Sequence, residues 1–178
     1  QIALIVTGIG KVEAAAAAEF AICVLGAKRI VNAGLCGGFG EDVKMCAVYE
    51  VSAAAEYDFD LSAFNGGFVG VKDGESSAFA ECHEAGRYPA KKLATGDRFS
   101  DDESDHGFIF NVLGCELRDM EGAAIAFVCR KHSVCCEMYK CVTDIDGCGA
   151  MTKQFLDNKA AALDVLGRAI FSALDSQS

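Results

Sequence analysis

IALIVTGIGKVEAAAAAEFAICVLGAKRIVNAG (residues 2–34) passes from a β-rich run through two glycines into a helical period, then back to a β-rich run. Residues 2–7, IALIVT, read as a core strand closed by Gly8 and Gly10. Val12, Ala16, Phe20 and Val24 then recur every four residues while Glu13 and Glu19 fall off that stripe, which predicts an amphipathic helix packed on a sheet and ended by Gly26. RIVNAG (29–34) is the next strand. Strand, helix and strand in this order make a βαβ unit, so an α/β fold with parallel strands covered by helices is expected.

The rest of the chain extends this pattern. CAVYEVSAAAEY (46–57), FVGVK (68–72), KLATG (92–96) and EMYKCVTDI (137–145) are predicted strands. A short helix is expected over 103–114. A terminal amphipathic helix is expected with Leu156, Ala160, Leu163, Leu166, Ile170 and Leu174 on its apolar face. At 178 residues one domain spanning 1–178 is the expectation. The net charge of −10 has the wrong sign for nucleic acid or anionic membrane, and no apolar run approaches the roughly 18 residues that span a bilayer. Ten cysteines sit mostly among apolar neighbours and no CxxC or HxxxH pair offers zinc-ligand spacing. Buried, reduced thiols in a cytoplasmic protein without metal or cofactor are therefore expected.

Several motifs invite chemistry. GIGKVE (8–13) follows a predicted strand as a dinucleotide turn would, but Glu13 stands where the third glycine belongs and RIVNAG ends without a ribose-binding acid. GLCGGFG (34–40) lacks the Lys-Ser/Thr of a phosphate loop, yet its glycines follow a strand at the carboxyl edge where open α/β sheets bind ligands. A tight strand exit without ligand is the competing reading. In LRDMEGAAIAF (117–127), Glu121 has Ala124, Ile125, Val128 and Cys129 at helical spacing, which places its carboxylate on an apolar face where sugar hydroxyls would be suitable donors. A solvated first-turn acid is the alternative. Asp144 in CVTDIDG (141–147) ends a strand at the same edge. To give up a proton near neutrality it must be lifted from about 3.9 to roughly 6–7, which costs about 4 kcal/mol of environment. Asp146 fits a structural turn acid at least as well as Asp144 does. His83, His106 and His132 have no nucleophile elbow beside them.

TGIGKVEAAAA (7–17), VNAGLCGGF (31–39), ATGDRF (94–99), RDMEGAAIAFVC (118–129) and KCVTDIDG (140–147), taken in order, resemble the purine nucleoside phosphorylase and nucleosidase family. The resemblance is strongest to bacterial methylthioadenosine/S-adenosylhomocysteine nucleosidases and leaves aside mainly residues 65–90. It implies a three-layer α/β/α sandwich with a mixed central sheet, a homodimer, and a small purine nucleoside as partner. By position, Glu121 would bind ribose hydroxyls, Met120 would pack on the sugar, Phe99 would stack on the base, and the backbone near Ser100 would read its edge. Leu35, Cys36 and Gly37 would lie along the nucleoside, with Asp119 and Thr143 among the substrate-binding residues. Asp144 would protonate the purine at N7, and an aspartate there favours an aminopurine.

Three departures shape the implied activity. The resemblance begins after the N-terminal strand and loop whose glutamate positions water in the nucleosidases, so no residue here takes that role. Leu35 stands where phosphorylases place a phosphate-binding hydroxyl, which favours water as acceptor. The middle of the chain is shortened at the pocket wall. Hydrolysis of methylthioadenosine or S-adenosylhomocysteine is thus the first expectation, with the related futalosine hydrolases, which share a MEGAA-like block, as a variant. A nucleoside phosphorylase and a nucleoside-binding module with impaired catalysis are the alternatives.

Overall fold

The computed structural model describes residues 2–65, 69–99 and 102–175. Its elements run α1 (Lys11–Cys23), β1 (Arg29–Gly38), β2 (Val48–Glu56), α2 (Ser62–Asn65), β3 (Phe79–Glu81), β4 (Ala90–Thr95), α3 (Glu103–Gly107), β5 (Leu117–Asp119), α4 (Gly122–Lys131), β6 (Cys135–Ile145) and α5 (Met151–Asp175). A wider π turn, Phe108–Val112, continues α3. The six strands form one mixed sheet in the order β3-β2-β4-β5-β1-β6, and β6 also bonds β2, so the sheet curls back on itself. β1 runs parallel to β6, and β4 parallel to β2 and β5. The pairs β1–β5, β2–β3 and β2–β6 are antiparallel.

Three layers result. α4 lies on one face of the sheet with α1 packed against it, over a core that includes Ala14, Ala18, Cys36, Val51, Leu93, Ile125 and Met138. α5 covers the opposite face over Val48, Tyr139 and Cys141. β2 and β6 are buried almost end to end, as strands covered on both faces should be.

The structure corrects the expectation for residues 2–7, which lie outside the sheet with Leu4 94% and Val6 91% exposed. Both edges of β1 are already filled, by β5 and β6, so the parallel neighbour of β1 is β6 instead of the run that precedes α1. The α1 stripe is also displaced. Val12 is 78% exposed and Phe20 and Val24 are exposed too, while Ala14, Ala18 and Ala21 face inward. Small side chains let α1 sit close on α4, and the bulkier ones are left outside. Likewise α5 buries Ala162, Leu166, Ala169 and Ala173 in place of Leu156 and Leu163. Of the expected strand at 68–72, residues 69–72 form a turn and irregular chain.

Candidate active site

The carboxyl ends of β1 and β6 carry the first half of the site. Along their parallel pairing Cys36 faces Val142, but Gly37 faces Asp144, so Thr143 is an extra residue at a β-bulge. A bulge re-aims the residue that follows it. Here it lays the Asp144 carboxylate across the strand next door, where a Cβ on residue 37 would stand 2.6 Å from Asp144 Oδ2. Only glycine at position 37 leaves room for that. The Thr143 hydroxyl lies 2.8 Å from Asp144 Oδ1 and 3.2 Å from the Cys36 carbonyl oxygen, its single proton shared between those acceptors.

Asp144 is buried and lines a small hollow of about 20 Å³ together with Gly38, Phe39, His106, Arg118 and Asp146. His106 Nδ1 is 2.6 Å from Asp146 Oδ1, and the His106 ring meets Phe39 edge to face at 5.4 Å. Asp146 thereby acts as a turn acid, its amide donating to the Gly38 carbonyl and its carboxylate holding His106. The Arg118 guanidinium sits 5.7 Å from the Phe39 ring centre and also reaches Met151 Sδ. In the sequence His106 is set aside for want of a nucleophile beside it and Arg118 is not singled out, because His106 lies 38 positions before Asp144 and nothing local ties either one to it. The register Gly37↔Arg118 alone brings Arg118 there.

Glu121 heads the second half. It is the N-cap residue of α4 and half-buried, so it stands ahead of the apolar face on which the spacing placed it. Its own helix is capped by others: Asp119 Oδ2 accepts from the Gly122 amide at 2.8 Å and Thr95 Oγ1 from the Ala123 amide at 2.9 Å. Glu121 Oε1 instead accepts from the Gly10 amide at 2.8 Å, while Asp97 accepts from Lys11 at the same helix start. The amides at the turn that a dinucleotide site would use for a pyrophosphate are thus held by two of the chain's own acids. Burial raises the Glu121 carboxyl above its ordinary value, and the Gly10 hydrogen bond only partly opposes this.

Between the halves lies a buried ion pair that the sequence did not reveal. Lys140 Nζ is 2.8 Å from Asp119 Oδ2 with both side chains 1% exposed, and Thr95 donates to Asp119 Oδ1 at 2.6 Å. Burial is the largest influence on Lys140 and acts to lower its pKa. Asp119 and Glu121 outweigh it and hold the ammonium above its ordinary value. Asp119 is therefore engaged inside the protein on both oxygens.

The remaining candidates are spread more widely. Cys36 is buried in the core and its thiol is pushed well up by burial. Leu35 points to the α5 side and Met120 is half-buried beside Glu121. Phe99 is exposed and packs edge to face on Phe155 at 5.5 Å. Ser100 lies outside the described residues. Glu121, Met120 and Phe99 are not among the residues that line the hollow of Asp144.

Residues 1–174 match the family model for the phosphorylase superfamily. The aminodeoxyfutalosine nucleosidase of Helicobacter pylori strain J99 is 27% identical over 169 residues, which are 85% of this chain and 72% of that protein. The 5'-methylthioadenosine/S-adenosylhomocysteine nucleosidase of Bacillus cytotoxicus is 30% identical over 178 residues, covering 90% of this chain and 76% of the relative. A further Helicobacter pylori aminodeoxyfutalosine nucleosidase, from strain 26695, is covered over 64% of its length. Among solved structures, the futalosine hydrolase of Helicobacter pylori superposes with a TM-score of 0.88 at 22% identity, over 96% of this chain and 77% of that one. The names of these relatives are those of N-glycosyl hydrolases. With its mixed sheet between α1/α4 and α5 and a family match over nearly its full length, the chain belongs to the phosphorylase superfamily.

Proposed function

We propose that the protein is a nucleosidase that hydrolyses the N-glycosidic bond of a purine nucleoside of the methylthioadenosine or S-adenosylhomocysteine type. The observation that carries the reading is Asp144, laid over Gly37 by the bulge at Thr143 and facing the hollow at the sheet's carboxyl edge. In this reading Asp144 passes a proton to the purine as the bond to the sugar breaks, so that the base leaves neutral. General-acid help of this kind is worth about 10²–10⁴-fold. Glu121, kept in place by the Gly10 amide, accepts hydrogen bonds from ribose hydroxyls as the sugar takes on positive charge. The Lys140–Asp119 pair holds the start of α4, and hence Met120 and Glu121, at a fixed distance from β6. Leu35 offers no hydroxyl to a phosphate ion, which supports water as the acceptor. The family resemblance carries a homodimer with this activity.

Chromatography after incubation with methylthioadenosine, with and without phosphate, tests the reading. Free adenine formed without phosphate is expected. A strict phosphate requirement with ribose-1-phosphate product would make the protein a phosphorylase, and unchanged nucleoside with measurable binding would make it a binding module. Asp144→Asn is expected to lower turnover by about 10²–10⁴-fold while nucleoside binding persists. Full activity in that variant would remove Asp144 from the mechanism. Aminodeoxyfutalosine as a second substrate separates the two kinds of relative that the sequence matches.

A further inference from the structure

At the end of α1 opposite Gly10, three side chains of different chemistry meet. Glu19 and Cys23 are one turn apart on α1, and His132 is the C-cap of α4, 113 residues from Glu19 in sequence. His132 Nε2 is 2.8 Å from Glu19 Oε2, and Cys23 Sγ donates to Glu19 Oε1 at 3.3 Å. One donor atom from each residue lies within 4.8 Å of the other two. Among the described residues this is the one such set of three His, Cys or acidic donors.

We propose that Glu19, Cys23 and His132 form a surface site for a divalent zinc-like ion, three protein donors with water completing a tetrahedron.

The donor set is the first support. Thiolate, imidazole and carboxylate are the groups zinc takes in its protein sites, and three of them with one open position is a common arrangement. The spacing is the second. Tetrahedral zinc with bonds of about 2.0–2.3 Å separates its donors by about 3.3–3.6 Å, so Glu19, Cys23 and His132 need only move by tenths of an ångström to about 1 Å. These are exposed side chains with room to do so. The rigidity of their supports is the third. His132 is presented by a turn in which its amide bonds the Val128 carbonyl and the next residue, Ser133, takes φ 54°, a left-handed conformation unusual for a residue with a Cβ. α1 is fixed to α4 by the alanine face described above.

Protons occupy the positions an ion would take. The hydrogen bond to Glu19 raises the Cys23 thiol, and the bond from His132 lowers Glu19. Metal uptake therefore displaces the thiol proton and moves the imidazole proton to Nδ1, so affinity should rise with pH. Lys131, next to His132, is the cation nearest in sequence and opposes binding in part. A bound ion would tie the far end of α1 to the end of α4. Gly10 at the near end already holds Glu121, so both ends of α1 would then be anchored.

The test is titration of the reduced protein with cobalt(II), with zinc as competitor. A near-ultraviolet thiolate-to-cobalt absorption that saturates at one equivalent, and is displaced by zinc, is expected. Cys23→Ser should abolish it and His132→Gln should weaken binding at least tenfold, whereas Cys148→Ser, a control at another exposed thiol, should leave it unchanged. Circular dichroism of each variant confirms folding. Absence of the band in the wild-type protein, or its survival in Cys23→Ser, would overturn the proposal. Nucleosidase activity does not enter this test.

Discussion

Lys140 is a fully buried cation whose cost is offset chiefly by its ion pair with Asp119, with Glu121 adding to it. Replacing it by Met leaves the Asp119 carboxylate buried without its counter-charge, a loss of about 3–5 kcal/mol, whereas Lys140→Met with Asp119→Leu should recover much of it. Urea unfolding of the single and double variants measures the difference, and equal stability of all three would show the pair to be idle. Glu121 gives a pH signature of its own. Its folded-state pKa lies above the ordinary 4.5, so the folded protein binds this proton more tightly than the unfolded chain does. The stability it supplies is complete below pH 4.5 and is lost as pH rises through the raised value. Glu121→Gln should flatten that part of a stability–pH curve, and an unchanged slope would assign it to other groups.

Within β1 and β6 the site depends on a bulge and a glycine. Gly37→Ala would drive a Cβ into the Asp144 carboxylate and force it off the hollow. Overpacking of this kind costs about 1–3 kcal/mol. Turnover should fall more than the melting temperature suggests, and kcat measured beside thermal unfolding decides it. Helix α5 shows how an element can be legible while its orientation is not. The period of apolar residues from Leu156 to Leu174 marks a terminal helix, but Leu156 is 68% exposed while Ala162, Ala169 and Ala173 are buried. Alanine fits both faces of a helix, and the packing distance to the sheet selects small residues over large ones. The same substitution of alanine for bulk explains α1.

For the molecule as a whole, the charge of −10 is spread over a fold in which helices close both faces of a curled sheet. Like charges on a compact surface repel one another, and salt screens them over about 10 Å at 0.1 M. Thermal unfolding should therefore shift upward on going from low to moderate ionic strength, while the buried Lys140–Asp119 pair is little affected. A fall in melting temperature would mean that surface ion pairs outweigh the net repulsion. The sheet's return from β6 to β2 has no local signature, because Val48↔Cys141 joins residues far apart in sequence.

The sequence by itself determined the α/β class, α1, β1, β2, β4, β6 and α5 as elements, and the blocks around Glu121 and Asp144 that resemble one family. Each of these rests on a local period or a short motif, which side-chain chemistry within a few residues suffices to specify. Only the tertiary structure decided that β6 takes the place beside β1, that the bulge at Thr143 turns Asp144 over Gly37, and that Lys140 joins Asp119. It also put Arg118 and His106 beside Asp144, held Glu121 on the Gly10 amide, and brought His132 to Glu19 and Cys23. Those contacts follow from strand register and helix packing, where the energy of burying distant residues together outweighs anything a neighbouring residue can signal.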